Sequence, residues 1–177
     1  MTEYEPIDSD VEVNGQTILS VVHAFPEGLQ GQGERTLAGN GIEDPTEDEW
    51  YPQERWLDAF ADLRDGMGES TLKQIGKQIP RSAEWPPGTD TVVDGVESID
   101  TAYHMNHRGG EIGNYGAERV DDDTIHVVCD NPYPCAFDRG ILEGVVDEFG
   151  ETRGKVDEVG PACRADGGDE CRYEITW

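Results

Sequence analysis

Four cysteines and four histidines carry most of the chemistry open to this 177-residue chain. Cys129 and Cys135 flank a Pro-Tyr-Pro turn in CDNPYPC, just ahead of an apolar run at helical spacing. Cys163 and Cys171 enclose ADGGD-type turn residues near the end of the chain. Such thiols can form disulfides, pack as small hydrophobes, act as nucleophiles or bind a metal. Disulfides rarely persist in a reducing cytoplasm. A nucleophile needs an activating base, and His126 lies three residues before Cys129 on an expected strand, which puts the two on opposite faces. Zinc accepts thiolate and carboxylate ligands, yet C-x5-C with C-x7-C is no standard finger spacing, so spacing alone leaves the choice open. A second polar concentration is AYHMNHRGGEIGNYG (102–116). Residues three apart are neighbours on a helix, so His104 and His107 offer a metal pair or the wall of a ligand pocket. The plainer alternative is a helix C-terminus where His and Arg complement the dipole and cap carbonyls.

The elements that must position these residues follow from periodicity. VEVNGQTILSVV (11–22) alternates around Asn14-Gly15 and predicts a tight hairpin. Residues 25–50 read as a long acidic, Gly-rich loop with room for one short helix. A helix opening at 48–52 carries Trp56, Phe60, Leu63 and Met67 as its apolar stripe and stops near Gly66–Gly68. A second helix places Leu72, Ile75 and Ile79 inward and ends at Pro80, followed by a turn over 81–90. A third carries Val92, Val96, Ile99 and Tyr103 and closes at Arg108–Gly110. A strand ends in TIHVVCD (124–130), a helix runs from the Cys135 corner to about Gly150, and two strands joined through Asp166–Asp169 complete the chain. Gly140 and Gly144 share one helix face, which predicts close approach of that helix to the sheet. The expected fold class is α+β, helices packed on a small, mainly antiparallel sheet. We expect one domain over 1–177: an N-terminal hairpin and loop (1–50), a helical part (51–110) and an αβ part (118–177).

Composition excludes some partners. With 39 acidic and 13 basic residues the net charge is −26, which repels nucleic acid and anionic membranes. The acids are spread along the chain, as suits a halophile whose salt-rich cytoplasm screens self-repulsion. No apolar run approaches the ~18–20 residues of a membrane span, and MTEYEPIDSD lacks a signal-peptide pattern, so the expected location is cytoplasmic. No P-loop, dinucleotide fingerprint, HExxH or GxSxG occurs. GLQGQGER (28–35) lacks the strand–helix context of a phosphate loop.

The run Cys135, Gly140, Gly144, Cys163, Gly168, Cys171 resembles the 4-vinyl reductase domain of phenol-sensing transcription activators and tetrapyrrole-related proteins. That family's pattern is Cys-x4-Gly-x3-Gly, later Glu-x2-Cys-x4-Gly-x2-Cys, and the likeness covers about residues 120–177. Members with a zinc site use three cysteines and a glutamate, which implies Cys135, Cys163 and Cys171 as ligands here. The glutamate position is occupied by Gly160, so Glu158 or Cys129 becomes the candidate fourth ligand. The resemblance also implies a fold related to haem-nitric-oxide sensors and vesicle-tethering transport-particle proteins, with an apolar or flat ligand between helices and sheet.

The expected function is therefore a small-molecule-binding or sensor domain with a structural zinc clasp. Trp56, Phe60, Tyr103, His104, His107 and Phe137 are the candidate lining, and a homodimer or a regulatory protein is the expected partner. Haem would need His104 or His107 as axial ligand, and without a further signature it is not expected. Two alternatives remain open. One is an enzyme acting on a tetrapyrrole or other aromatic compound through Cys129, His126, His104 and Glu111. The other is a dimerising scaffold resembling the tethering proteins, which an exposed Trp56 stripe would favour.

Overall fold

The computed structural model describes residues 3–25, 28–82, 85–150 and 153–177. The expected turn over 81–90 and the loop from residue 25 lie partly outside them. The first departure from expectation comes at once. Strand β1 (Glu12–Asn14) does not turn back at Asn14-Gly15 but runs into helix α1 (Gly15–His23). Asn14 is an N-cap: its side-chain oxygen accepts from the Thr17 amide at 2.9 Å, satisfying one of the free donors of the first turn. The same residue type serves either a hairpin or a cap, and here the buried face of Ile18, Val21 and Val22 selects the helix.

The acidic loop contains the one short helix allowed for it, α2 (Gln30–Gly39), and leads into a strand that periodicity does not indicate, β2 (Trp50–Pro52). Strands β2 and β3 (His107–Arg108) flank β1 in a small antiparallel sheet. Helix α3 (Gln53–Met67) starts after Pro52 and buries Trp56, Phe60 and Leu63, as the stripe requires. Helix α4 (Glu69–Ser82) continues through Pro80 instead of ending there, and α5 (Val92–Met105) opens on a Thr91/Asp94 capping box.

A second sheet has the order β4-β5-β7-β6, all antiparallel, from β4 (Asn114–Asp121), β5 (Thr124–Asp130), β6 (Lys155–Glu158) and β7 (Cys171–Thr176). Ile125, Val127 and Cys129 point inward from β5, alternating with less buried residues. At the sheet's margins, the outer part of β4 exposes Glu118, Arg119 and Asp121, and β6 exposes Lys155 and Glu158. The final connection is not a tight hairpin: it makes a short 3-10 turn over Arg164–Asp166 and reverses at Gly167, whose φ of 86° suits glycine. One hydrophobic core runs from α1 and α3 through α5 and α6 (Cys135–Phe149) to the second sheet, in keeping with the expected α+β class.

The glycines of α6 face another helix, not the sheet. A Cβ on Gly140 would lie 2.2 Å from the Lys73 carbonyl oxygen, and one on Gly144 would lie 2.6 Å from that of Lys77. Gly76 answers from α4, where a Cβ would meet the Phe137 carbonyl at 2.3 Å. The two backbones therefore touch, flanked by Lys73 and Lys77 paired with Glu143 and Asp147. Gly140→Ala should lower unfolding free energy in urea by about 1–3 kcal/mol despite alanine's better helix propensity. Gly116→Ala, with 3.8 Å to its nearest neighbour, should change it little.

Candidate metal centre and buried polar network

Three elements bring three sulfurs together. Cys135 is the first residue of α6, at the end of the helix where backbone N–H groups favour a thiolate. Cys171 opens β7 on its inward face, and Cys163 precedes the 3-10 turn. That turn is tied back by Asp166 and Gly168 amides, each donating to the Cys163 carbonyl at 2.9 Å. The Cys135 sulfur stands 2.8 Å from that of Cys171 and 3.0 Å from that of Cys163, while Cys163 and Cys171 approach to disulfide contact. A disulfide accounts for two sulfurs and leaves the third inside normal non-bonded separation. All three form a buried group with ligand atoms within 4.8 Å of one another, and with the Cys163–Cys171 bond reduced they could spread to the separations of a metal's thiolate shell.

The other two candidate ligands lie apart from this group. Cys129 is fully buried and opposite Cys171 in the strand register, but its sulfur is not among the three. Glu158 is exposed on the edge strand β6. A carboxylate not picked out from the sequence lies closer: Glu3 accepts from the Cys135 amide at 2.6 Å. Burial, then Glu3, pushes the Cys135 thiol up to about 12, and burial also raises Cys129 well above the ordinary thiol value. Neither thiol on its own is poised as a nucleophile.

Beneath the sulfurs lies a buried ion pair. Arg164, next to Cys163, and Asp138, one turn into α6, have no exposed side-chain surface, and the Arg164 Nη2 donates to Asp138 Oδ2. Arg164 also donates to Asn131 Oδ1 at 3.0 Å, while its amide and Nε lie 3.4 and 3.5 Å from the Cys171 sulfur. Asp138 accepts further from the Tyr115 hydroxyl at 2.6 Å and from Asn131 at 3.2 Å. Burial pushes Asp138 up and Arg164 pulls it back; the same carboxylate keeps the guanidinium charged. N–H donors on a ligating sulfur are the outer contacts that hold thiolate ligands in place. The sequence signal for this network was Asp138 itself, a charge on the core-facing side of α6 beside Cys135 and Leu142.

The interior between α3, α5 and α6 is aromatic. Trp56, Phe60, Phe137, Tyr133, Tyr103 and His107 pack with centroids 4.4 to 6.0 Å apart. Five of the six expected lining residues are here, and His104 is not: it is exposed beside Asp100. His107 leaves the helix for β3 and is buried, so the two histidines do not share a face. The His107 Nδ1 donates to the Tyr103 carbonyl at 2.8 Å and Nε2 lies 2.7 Å from the Tyr133 hydroxyl, from which it accepts when burial keeps the ring neutral. The proposed catalytic set is dispersed: His126 pairs with Glu174 on the outer face of β5, opposite buried Cys129, and His104 and Glu111 are exposed.

No family model and no curated protein matches the sequence. Solved structures do match in fold, H-NOX domains among them. An oxygen-binding H-NOX domain related to soluble guanylate cyclases aligns at 19% identity and TM-score 0.70, covering 92% of this chain and 94% of that one. A mutant T. tengcongensis H-NOX aligns at 19% and 0.68 over 92% and 96%. An H-NOX protein from S. oneidensis in the Fe(II)NO state aligns at 15% and 0.66 over 92% and 97%. This chain has an H-NOX-like fold. At such identities the likeness establishes architecture alone.

Burial, aided by the nearby charge of His104, lowers the His107 pKa from 6.5 to about 4. The unfolded chain therefore binds the proton first as pH falls, and stability is lost from pH 6.5 towards 4, by about 3 kcal/mol in all. Subtracting the pH–stability curve of His107→Gln from that of the parent should isolate this slope.

Proposed function

We propose that this chain is a small-molecule-binding domain of the 4-vinyl reductase type, with its C-terminal ribbon clasped by zinc on Cys135, Cys163 and Cys171. The meeting of three buried cysteine sulfurs, with N–H donors on one of them, is the observation that carries the clasp, whose zinc-bound form requires the Cys163–Cys171 pair to be reduced. Glu3, which must turn from the Cys135 amide towards the sulfurs, is better placed to close the shell than exposed Glu158. Bound there, zinc would supply stability by tying α6 to β7. No helix among the described residues is long and apolar enough to cross a membrane.

The binding region is the aromatic interior lined by Trp56, Phe60, Tyr103, His107 and Phe137, an apolar setting with a few polar groups of the kind ligand sites use. Its occupant would bias the packing of α3, α5 and α6 and so signal to a regulatory partner or a second copy. The scaffold alternative loses its stated support, because Trp56 is 1% exposed. The H-NOX relatives in fold include structures described by haem and bound gases, which speaks for haem in this architecture. We set haem aside here on one contact: of the four histidines only His107 is buried, its Nδ1 is held by the Tyr103 carbonyl as an axial ligand's would be, and its Nε2 would have to give up the Tyr133 hydroxyl to reach iron.

Elemental analysis of protein purified in high salt should find about one zinc per chain. Cys135→Ser should weaken zinc binding by more than the ~10–100-fold typical of a lost outer contact. Metal-free protein whose melting temperature ignores chelators would remove the clasp from the reading. Titration with haemin should give no stoichiometric Soret shift; a shift abolished by His107→Ala would reinstate haem.

A further inference from the structure

The aromatic interior contains polar atoms that the fold leaves unanswered. Gln53, at the first turn of α3, is fully buried, and neither its amide nitrogen nor its oxygen has a hydrogen-bond partner. Its backbone is fixed, since its amide donates to the Val11 carbonyl at 2.9 Å. Three residues on, the indole N–H of Trp56 is buried and equally unpaired. Residues at this spacing share a helix face. Both groups face the Tyr133 hydroxyl and draw its pKa down against the burial that raises it, as Gln53 also does for Tyr103, but these contacts are looser than formed hydrogen bonds. With the His107 ring kept neutral by burial, that hydroxyl donates to Nε2 and turns its oxygen towards Gln53 and Trp56 as an acceptor. Folded chains rarely leave such groups without a partner, because each forfeits its hydration for nothing in return.

We propose that Gln53, Trp56 and Tyr133 anchor a small neutral molecule bearing a hydrogen-bond acceptor beside a donor, of the primary amide or azole class. The acceptor answers the Trp56 N–H and the Gln53 NH2; the donor answers the Gln53 carbonyl or the Tyr133 oxygen. Phe60 stands over this corner, edge-on to both Trp56 and Tyr133, which favours a flat guest. A charged guest finds no counter-ion, because Arg164 and Asp138 beneath the tyrosines are spent on each other. The inference rests on the aromatic interior being the binding region and adds the chemistry that selects its ligand.

The test uses zinc-replete full chain in high salt, with pyrazole and acetamide as probes, toluene as the apolar control and acetate as the charged one. The readout is the Trp56 indole N–H resonance, assigned through Trp56→Phe, with melting temperature as the second measurement. Pyrazole or acetamide should move the resonance saturably, and acetate should not. Gln53→Met should weaken that response at least tenfold while raising the melting temperature of the free protein by about 2–4 °C. Tyr133→Phe should also weaken it, which keeps the test open if the methionine variant misfolds. A resonance indifferent to both probes, with exchange contacts to a long-lived water, means the anchor holds only water and overturns the proposal. So does a fall in melting temperature for folded Gln53→Met. Toluene binding without azole or amide binding would leave the pocket standing and remove the anchor; no binding by any probe removes both.

Discussion

The buried pair between Arg164 and Asp138 constrains everything around the sulfurs. A charge placed in the interior without its partner costs several kcal/mol, so α6 and the loop before β7 can reach the native state only together. Because Arg164 also reaches Asn131 and the Cys171 sulfur, and Asp138 also holds Tyr115, one contact fixes the registry of β4, the Pro-Tyr-Pro corner, α6 and the terminal ribbon. The convergence of Cys135, Cys163 and Cys171 is a by-product of that registry. Satisfied on every side, such a network rigidifies its surroundings; broken at one member, it turns into a liability.

The helical half is held differently. Between α4 and α6 there is almost no side-chain layer, only backbone against backbone where Gly76, Gly140 and Gly144 omit their Cβ atoms. This leaves α6 anchored on one side by helix contact and on another by the ion pair, with the aromatic interior facing α3 and α5. The same helix thus supplies Phe137 to the interior and Cys135 to the sulfur group. A change in one region is mechanically adjacent to the other.

Much of this was legible in the residues. Trp56, Phe60 and Leu63 marked α3, the alternation in TIHVVCD marked β5, and the α+β class followed. The likeness carried by Cys135, Gly140, Gly144, Cys163 and Cys171 led to residues whose sulfurs the fold does bring together. Other features were hidden because local sequence is degenerate. Asn14-Gly15 suits a turn or a cap, and only the burial of Ile18 and Val21 decides. Gly140 and Gly144 announce close approach without naming the neighbour, and α4 lies more than sixty residues back along the chain. Glu3 and Gln53 carry no periodic signal at all; their significance arises from what stands opposite them in space.

The margins of the four-stranded sheet have a consequence of their own. An unpaired strand is a template on which another chain can extend the sheet, and proteins blunt it with charge. Here β4 offers Glu118, Arg119 and Asp121 and β6 offers Lys155 and Glu158, on a molecule of net charge −26. Charges stand on both rims, so a strand added to either must bring matching charges of its own, which blunts indiscriminate amyloid-like stacking.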